Sequence, residues 1–283
     1  MKTLKTAFLL TALTLLLLFI GEAIGGANGM TIALVLAVLM NGGAYFFSDK
    51  IALKSSGAMP ISREESPRLY AVMERLAAKA NLPMPKLYLI PQAAPNAFAT
   101  GRNPSHASVA VTQGLMEIMN DDELEGVIAH ELSHVRNYDI LTSSVAATLA
   151  GAITWIGHVG RWGLMFGGYG GGRNRSGGIG ALLMVILAPF AALLLQLGIS
   201  RQREYQADAS GVQMIGHANG LISALEKLGA YNKKIPMDIP QSTSALCIVQ
   251  PLQAGQLFAG LFSTHPPLSD RIAELRNMTI TRS

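Results

Sequence analysis

The chain has 283 residues, 50% of them hydrophobic and only 14% charged, with a formal net charge of +4. A soluble domain carries about a quarter charged residues, so the composition excludes a disordered chain and argues against an ordinary cytosolic enzyme. No Lys/Arg block is interleaved with aromatics, which excludes nucleic acid as a partner, and the single cysteine, Cys247, excludes both an intrachain disulfide framework and a CxxC metal knuckle.

Four stretches lack Asp, Glu, Lys and Arg: 6–21, 23–48, 140–160 and 176–200. A membrane helix needs about 20 apolar residues. The first stretch is short, but Lys5 can snorkel to the interface, and the second follows at once, which predicts a transmembrane hairpin over 1–48 rather than a cleaved signal peptide over 1–25. The third is only moderately apolar; its Ala146, Ala147, Ala150, Gly151 and Ala152 suit close helix packing. With the fourth it predicts a second hairpin over 140–200, joined by a Gly-rich loop at 167–180; burial of both in a large soluble core is the alternative. Lys2, Lys5, Lys50, Lys54, Arg136, Arg201 and Arg203 oppose Arg161, Arg173 and Arg175, which predicts that both termini face the cytoplasm.

The polar remainder falls into two pieces, 49–139 and 201–283. In the first, Ser66-Pro67 opens an amphipathic helix over 66–80. Strands follow at 86–90, 96–100 and 108–112. A helix starts at 115–119, and Asp121 or Asp122 caps a longer one reaching about residue 138. The second piece predicts helices at 203–215 and 220–228, a loop rich in Pro, Gln and Ser, and a last helix at 268–277.

His130-Glu131-Leu132-Ser133-His134 is an H-E-x-x-H sequence. At about 100° per residue, positions i and i+4 share a helix face, so His130 and His134 can aim two imidazoles at one ion. Glu131 lies about 100° round, beside the ion, where it can take a proton from the attacking water and pass it to the leaving amine. Leu124, Val127, Ile128 and Leu132 supply the apolar face. A catalytic zinc needs a third protein ligand and an open position. Glu204, Asp208, His217, Glu226 and His265 are the downstream candidates. Glu204 and Asp208 stand four apart, so one could bind the ion while the other orients a histidine; a solvated face with Arg201 and Arg203 is the alternative.

With these residues the chain resembles the HtpX family, integral-membrane zinc endopeptidases of bacteria related to the CAAX prenyl endopeptidases. The resemblance runs end to end. It covers the N-terminal hairpin, Pro95-Asn96-Ala97-Phe98-Ala99-Thr100-Gly101, His130–His134 with Asp139, a second hairpin, Glu204-xxx-Asp208, and Phe262-Ser263-Thr264-His265-Pro266-Pro267. It implies an α+β zincin-like metallopeptidase domain with about four transmembrane helices, mainly helical overall. It also implies one Zn2+ per subunit on His130, His134 and Glu204, with Glu131 catalytic and Asp208 and Asp139 behind the ligands. Asn96, Ala97, Phe98, Ala99 and Thr100 become the edge strand to which an extended substrate adds. His265 and Arg271 become donors to the oxyanion. Asp139 is expected to end the active-site helix, and His106, His158 and His217 to be structural.

The implied function is degradation of misfolded or damaged membrane proteins at the cytoplasmic face of the bacterial inner membrane, in quality control and the stress response. The implied partners are the lipid bilayer, membrane-protein substrates and other membrane quality-control proteases. A CAAX-type prenyl-protein endopeptidase is one rival reading. The other is a membrane chaperone or adaptor with structural zinc, which would need a fourth ligand and leave Glu131 idle.

Overall fold

The computed structural model describes residues 4–166, 200–232, 234–249 and 265–278. Helix α1 (Leu4–Ser55) is broken at Gly26, whose backbone (φ 57°, ψ −143°) suits glycine alone. Two apolar arms result, each long enough to cross a membrane, over Thr6–Ala23 and Gly25–Ser55. They fold back on each other: Asn41 Nδ2 donates to Leu10 O at 3.2 Å and Thr14 Oγ1 at 2.9 Å. Near the bend Gly21 and Gly29 lie so close that a Cβ on either would strike the other's carbonyl oxygen. Phe8, Phe19, Val38 and Leu39 remain exposed on the outside of this hairpin.

Beyond it come β1 (Met59–Pro60), α2 (Pro67–Lys79), β2 (Lys86–Ile90), β3 (Ala97–Gly101), a 3-10 turn at Pro104–His106 and β4 (Ala107–Thr112). The sheet order is β1-β2-β4-β3, with β2 and β4 parallel and the outer pairs antiparallel. Every residue of β3 and β4 is buried because both sheet faces are covered. Side chains alternate across a strand. Leu87, Ala97, Ala99, Val109 and Val111 join one core with Leu69, Met73, Leu124 and Ile128. Phe98, Ala110 and Ile90 turn to a second core with Ala52, Leu53, Met237, Ile239 and Cys247.

Helix α3 (Gln113–Ile118) leads to α4 (Asp121–Asn137), which carries the H-E-x-x-H sequence. Its N-cap is Asn120, one residue before the expected aspartates. Asn120 Oδ1 accepts Glu123 N–H at 2.9 Å while Glu123 Oε2 accepts Asn120 N–H at 2.8 Å, a reciprocal box that neither aspartate could form with Glu123. Tyr138, in the left-handed region at φ 63°, ends α4, and Asp139 opens α5 (Asp139–Phe166); Asp139 therefore begins the next helix rather than ending the active-site helix. Helix α5 grows out of the catalytic domain into the apolar hairpin. Leu141, Val145, Leu149 and Ile153 pack on Leu9, Leu13 and Ala44. Thr6 and Thr142 hydroxyls meet at 2.9 Å.

The remaining helices are α6 (Arg201–Ile215), α7 (Asn219–Asn232), the short α8 (Gln241–Ser244) and α9 (Leu268–Asn277). Helices α6 and α7 pack along α4 and complete the core through Val212, Leu221 and Leu225. Of the second expected hairpin, α5 covers 140–160; the loop at 167–180 and all of 176–200 except Ser200 lie outside the described residues, as do Phe262, Ser263 and Thr264.

Candidate metal centre

Helix α4 is fully buried along Ile128–Ser133, so His130 is held by packing, while His134 is partly buried at the cleft. One turn apart, their rings meet edge to face with centroids 4.7 Å apart, and their Nε2 atoms lie 3.2 Å from each other. Helix α6 brings in Glu204: Oε2 is 3.7 Å from His130 Nε2 and Oε1 is 3.6 Å from His134 Nε2. These three residues offer ligand atoms that all fall within 4.8 Å of one another.

The opposite ring nitrogens are spoken for. His130 Nδ1 lies 2.8 Å from Asp208 Oδ1, and His134 Nδ1 lies 3.3 Å from Asp139 Oδ2. Each carboxylate accepts the Nδ1–H, which leaves both Nε2 atoms directed at the common point, free to ligate once the His134 proton is displaced. Glu204 Oε2 is buried and makes no hydrogen bond among the described residues, although His265 Nδ1 stands 3.2 Å away. Two imidazole Nε2 atoms and a buried carboxylate converging on one point fit a metal ion.

Supporting charges surround the cluster. Asp208 accepts two bonds from Arg271, Nε to Oδ2 at 2.8 Å and Nη2 to Oδ1 at 2.6 Å, with both residues almost wholly buried. Burial opposes ionisation of Asp208, but Arg271 and His130 outweigh it and hold its carboxyl below the usual range. Glu204 is likewise opposed by burial and is held well below the usual range by His265, His134 and Arg271. Burial and the Arg271 charge push His130 down, toward its neutral, ligating form. Burial also works against protonated His134, yet the Asp139 bond and the charges of Glu204, Glu131 and Asp139 lift it to about 9. Arg203 Nη1 stands 3.6 Å from Asp139 Oδ1, so a further charge from α6 faces that carboxylate.

Glu131 points beside this cluster rather than into it. It is 2% exposed, and burial pushes its carboxyl up to about 7 against the pull of His134, with Glu204 adding to the rise and the backbone N–H of Ala99 opposing it. Glu131 shares a cleft with Ala99, His134, Ile140, Ser143, Glu204, Ala245, Leu246 and His265. A carboxyl poised near neutrality beside a metal point can take and return a proton.

The other expected site residues are placed as follows. Ala97, Phe98, Ala99 and Thr100 lie in β3, the strand at the end of the sheet beside α4, with Asn96 just before it. Thr100 Oγ1 bonds Ser144 Oγ of α5 at 2.7 Å. His265 lines the cleft and its Nε2 donates to Ala245 O at 3.1 Å. The Arg271 guanidinium is behind the histidines, committed to Asp208 and, through Nη1, to Ile248 O at 2.9 Å. Glu226 pairs with Arg276 on the surface, away from the site, and His106 is exposed beside Asn103. Cys247 is buried, its thiol pushed up by burial, and carries no nucleophile. Sequence reasoning did not find the cleft residues Ile140, Ser143, Ala245 and Leu246. Only Ile140 and Ser143 carried a signal, spaced three apart just past the catalytic helix.

A metal triangle assembled from one helix and closed by a carboxylate from a later one, with a neutral-range glutamate alongside, defines a metallopeptidase, here joined to an apolar helical hairpin. The comparisons specify which. The profile of peptidase family M48 matches residues 63–279, and the chain belongs to that family. It is 54% identical over 273 residues to a protease HtpX homolog of Desulfatibacillum aliphaticivorans, covering 96% of this chain and 88% of the relative. A protease HtpX homolog of Syntrophobacter fumaroxidans is 51% identical over 281 residues, covering 97% and 98%. In fold the chain is similar to the crystal structure of S. mikatae Ste24p, with a TM-score of 0.54 at 20% identity over 97% of this chain and 64% of that one. The chain is thus a membrane metalloendopeptidase.

Proposed function

We propose that this chain is a zinc-dependent endopeptidase of the bacterial cytoplasmic membrane that cuts misfolded or damaged membrane proteins at the cytoplasmic face. The observation that carries the reading is the convergence of His130 Nε2, His134 Nε2 and Glu204 on one point, with Glu131 beside it. Two imidazoles and one carboxylate suit Zn2+, one per subunit. A zinc ion held there supplies Lewis-acid polarisation of the scissile carbonyl and acidifies the attacking water.

The protein's own residues do the rest. Glu131 takes the proton from the attacking water and delivers it to the leaving nitrogen. Asp208 and Asp139 hold the histidine rings, and Arg271, through Asp208, acts as a positioning residue. His265 lines the cleft with Nε2 on Ala245 O and Nδ1 3.2 Å from Glu204 Oε2, so its donation to the oxyanion requires one of these contacts to give way. An extended chain adds to β3 by backbone hydrogen bonds. Folded helices lack a free extended backbone, which supports a preference for misfolded substrates, with other membrane quality-control proteases as functional partners.

The cleft opens where α5 leaves the catalytic domain, so substrate meets it close to a membrane face, and the Lys/Arg distribution supports the cytoplasmic one and four crossings in two hairpins. Single cysteines at Gly25, Gly170 and Ser283 in a Cys247→Ser background test this. A membrane-impermeant thiol reagent on whole cells labels the first two and spares the third; labelling at Ser283 but not Gly25 inverts the topology and moves the substrate pool.

A further inference from the structure

The outer edge of β3 is partly taken by the chain itself. Thr112 N–H donates to Asn96 O at 2.9 Å, so in the antiparallel register Asn96, Phe98 and Thr100 turn their backbone groups toward β4 while Ala97, Ala99 and Gly101 turn theirs outward. The outward carbonyl of Ala97 accepts Ile248 N–H at 2.9 Å. The Asn96 side chain clamps the next residue, Nδ2 donating to Val249 O at 2.8 Å and Oδ1 accepting Val249 N–H at 3.4 Å. Arg271 holds Ile248 O, His265 holds Ala245 O, and upstream Thr243 Oγ1 bonds Ser55 Oγ at the end of the apolar hairpin at 2.8 Å. Ile248 and Val249 therefore form a strap against the strand that an extended substrate would use, and the turn before them, through Ala245 and Leu246, walls the cleft that holds Glu131. Among the described residues no such backbone partner is seated at Ala99 or Gly101.

We propose that this strap is a built-in competitor of the substrate, and that Asn96 is the positioning residue that seats it. The proposal rests on the reading that substrate adds to the β3 edge. Ala99 and Glu131 line the same cleft, so the scissile bond sits near Ala99. Ala97 is two residues away, about 6.8 Å along the strand, which leaves room for about one extended substrate residue on that side. Toward Gly101 the edge is open. With the strap seated the cleft is one-sided: a peptide ending just past the scissile bond binds without disturbance, whereas a polypeptide passing through must take the Ala97 carbonyl from Ile248. Cleavage within a long membrane-protein segment thus requires the strap to leave, and intact edges are shielded from adventitious chains. For antiparallel addition the blocked side is the carboxyl side of the scissile bond.

The test uses the zinc-loaded full chain in detergent and fluorogenic peptides that share one cleavage sequence. One set ends one residue past the scissile bond, and others extend six residues on one side or the other. In the wild type, extension raises kcat/KM on one side only. In Asn96→Ala, which removes both side-chain bonds to Val249, the ratio of kcat/KM for the blocked-side extension to that for the short peptide rises about tenfold, through KM. Ile248→Pro, which deletes the donor to Ala97, raises the same ratio and guards against a folding defect peculiar to Asn96→Ala. If extension on both sides helps the wild type equally, or both variants keep normal zinc and melting temperature with an unchanged or lower ratio, the strap does not compete. Edge addition is read separately, by replacing with an ester the peptide N–H that pairs with Ala99 O. If that replacement leaves cleavage of the short peptide unaffected, edge addition fails, whatever the strap variants do.

Discussion

Replacing Asp208 by alanine strips three contacts from one buried carboxylate: the bond to His130 Nδ1 at 2.8 Å and those to Arg271 at 2.6 and 2.8 Å. Two separable effects follow. His130 loses the acceptor that fixes its Nδ1–H tautomer, and loss of such a partner lowers metal affinity by about 10–100-fold. Arg271, fully buried, keeps Ile248 O at 2.9 Å, a 3.4 Å approach to His130 Nδ1 and the Glu204 carboxylate at 3.6 Å. Breaking a buried pair from one side costs about 3–5 kcal/mol. Arg271→Met alone strands the Asp208 charge and costs the same order, with a smaller effect on metal because the His130 acceptor stays. In the double variant Asp208→Ala/Arg271→Met neither charge remains, so stability recovers by about 0.5–3 kcal/mol relative to the sum of the single variants, while metal affinity stays low. Zinc affinity by chelator competition and thermal unfolding in detergent read the two effects independently. Wild-type zinc affinity in Asp208→Ala would refute the claim that His130 is held through Asp208. A double variant as unstable as the sum of the singles would show that the pair is not one unit.

Further outcomes are expected. Glu204→Ala, like His130→Ala or His134→Ala, loses zinc under conditions where Asp208→Ala retains part of it; full zinc in Glu204→Ala with none in Asp208→Ala would exchange the two roles. Zinc binding is opposed by acid: in the metal-free site His134 is lifted to about 9, so it holds a proton at neutral pH that zinc must displace, and calorimetry in buffers of different ionisation enthalpy should record proton release. Because that folded-state value lies above the ordinary 6.5, the His134 contribution to metal-free stability is complete below about pH 6.5 and is lost as pH rises through about 9; a metal-free melting temperature insensitive to pH across this window would contradict it. At the far end of α4, Asn120→Ala costs about 1 kcal/mol of stability. Glu123→Ala costs more, because it also removes the acceptor of Lys227 Nζ, bonded at 2.7 Å, and of Ser223 Oγ; equal melting temperatures would argue against that cross-helix role.

The catalytic helix was legible because its chemistry is local. His130, Glu131 and His134 are fixed relative to one another by helical geometry alone, and the flanking apolar period supplied the helix. The cap was misplaced by one residue because Asn120, Asp121 and Asp122 can all cap; Glu123 three residues on was the signal that selects Asn120. Glu204 and Asp208 were visible as a pair, but which one faces the ion depends on Arg271, 63 residues beyond Asp208, and a buried arginine in that last helix reads in the sequence like any surface charge. The strap was not legible at all. It depends on Asn96 meeting Val249 across 153 residues, and its short apolar run, Ala245 to Val249, lies inside a stretch that reads as a loop rich in Pro, Gln and Ser. Strand β1 has two residues, too few to show a period.

The central claim is that Glu131 stands beside the metal point and moves the proton, while His130, His134 and Glu204 hold the ion. It is tested most directly by purifying wild type and Glu131→Ala in parallel, measuring zinc per chain by mass spectrometry, and following cleavage of one misfolded membrane-protein substrate. The account predicts one zinc per chain in both proteins and a loss of cleavage of about 10²–10⁴-fold in the variant. Cleavage at the wild-type rate with zinc retained, or loss of zinc from Glu131→Ala, would contradict it.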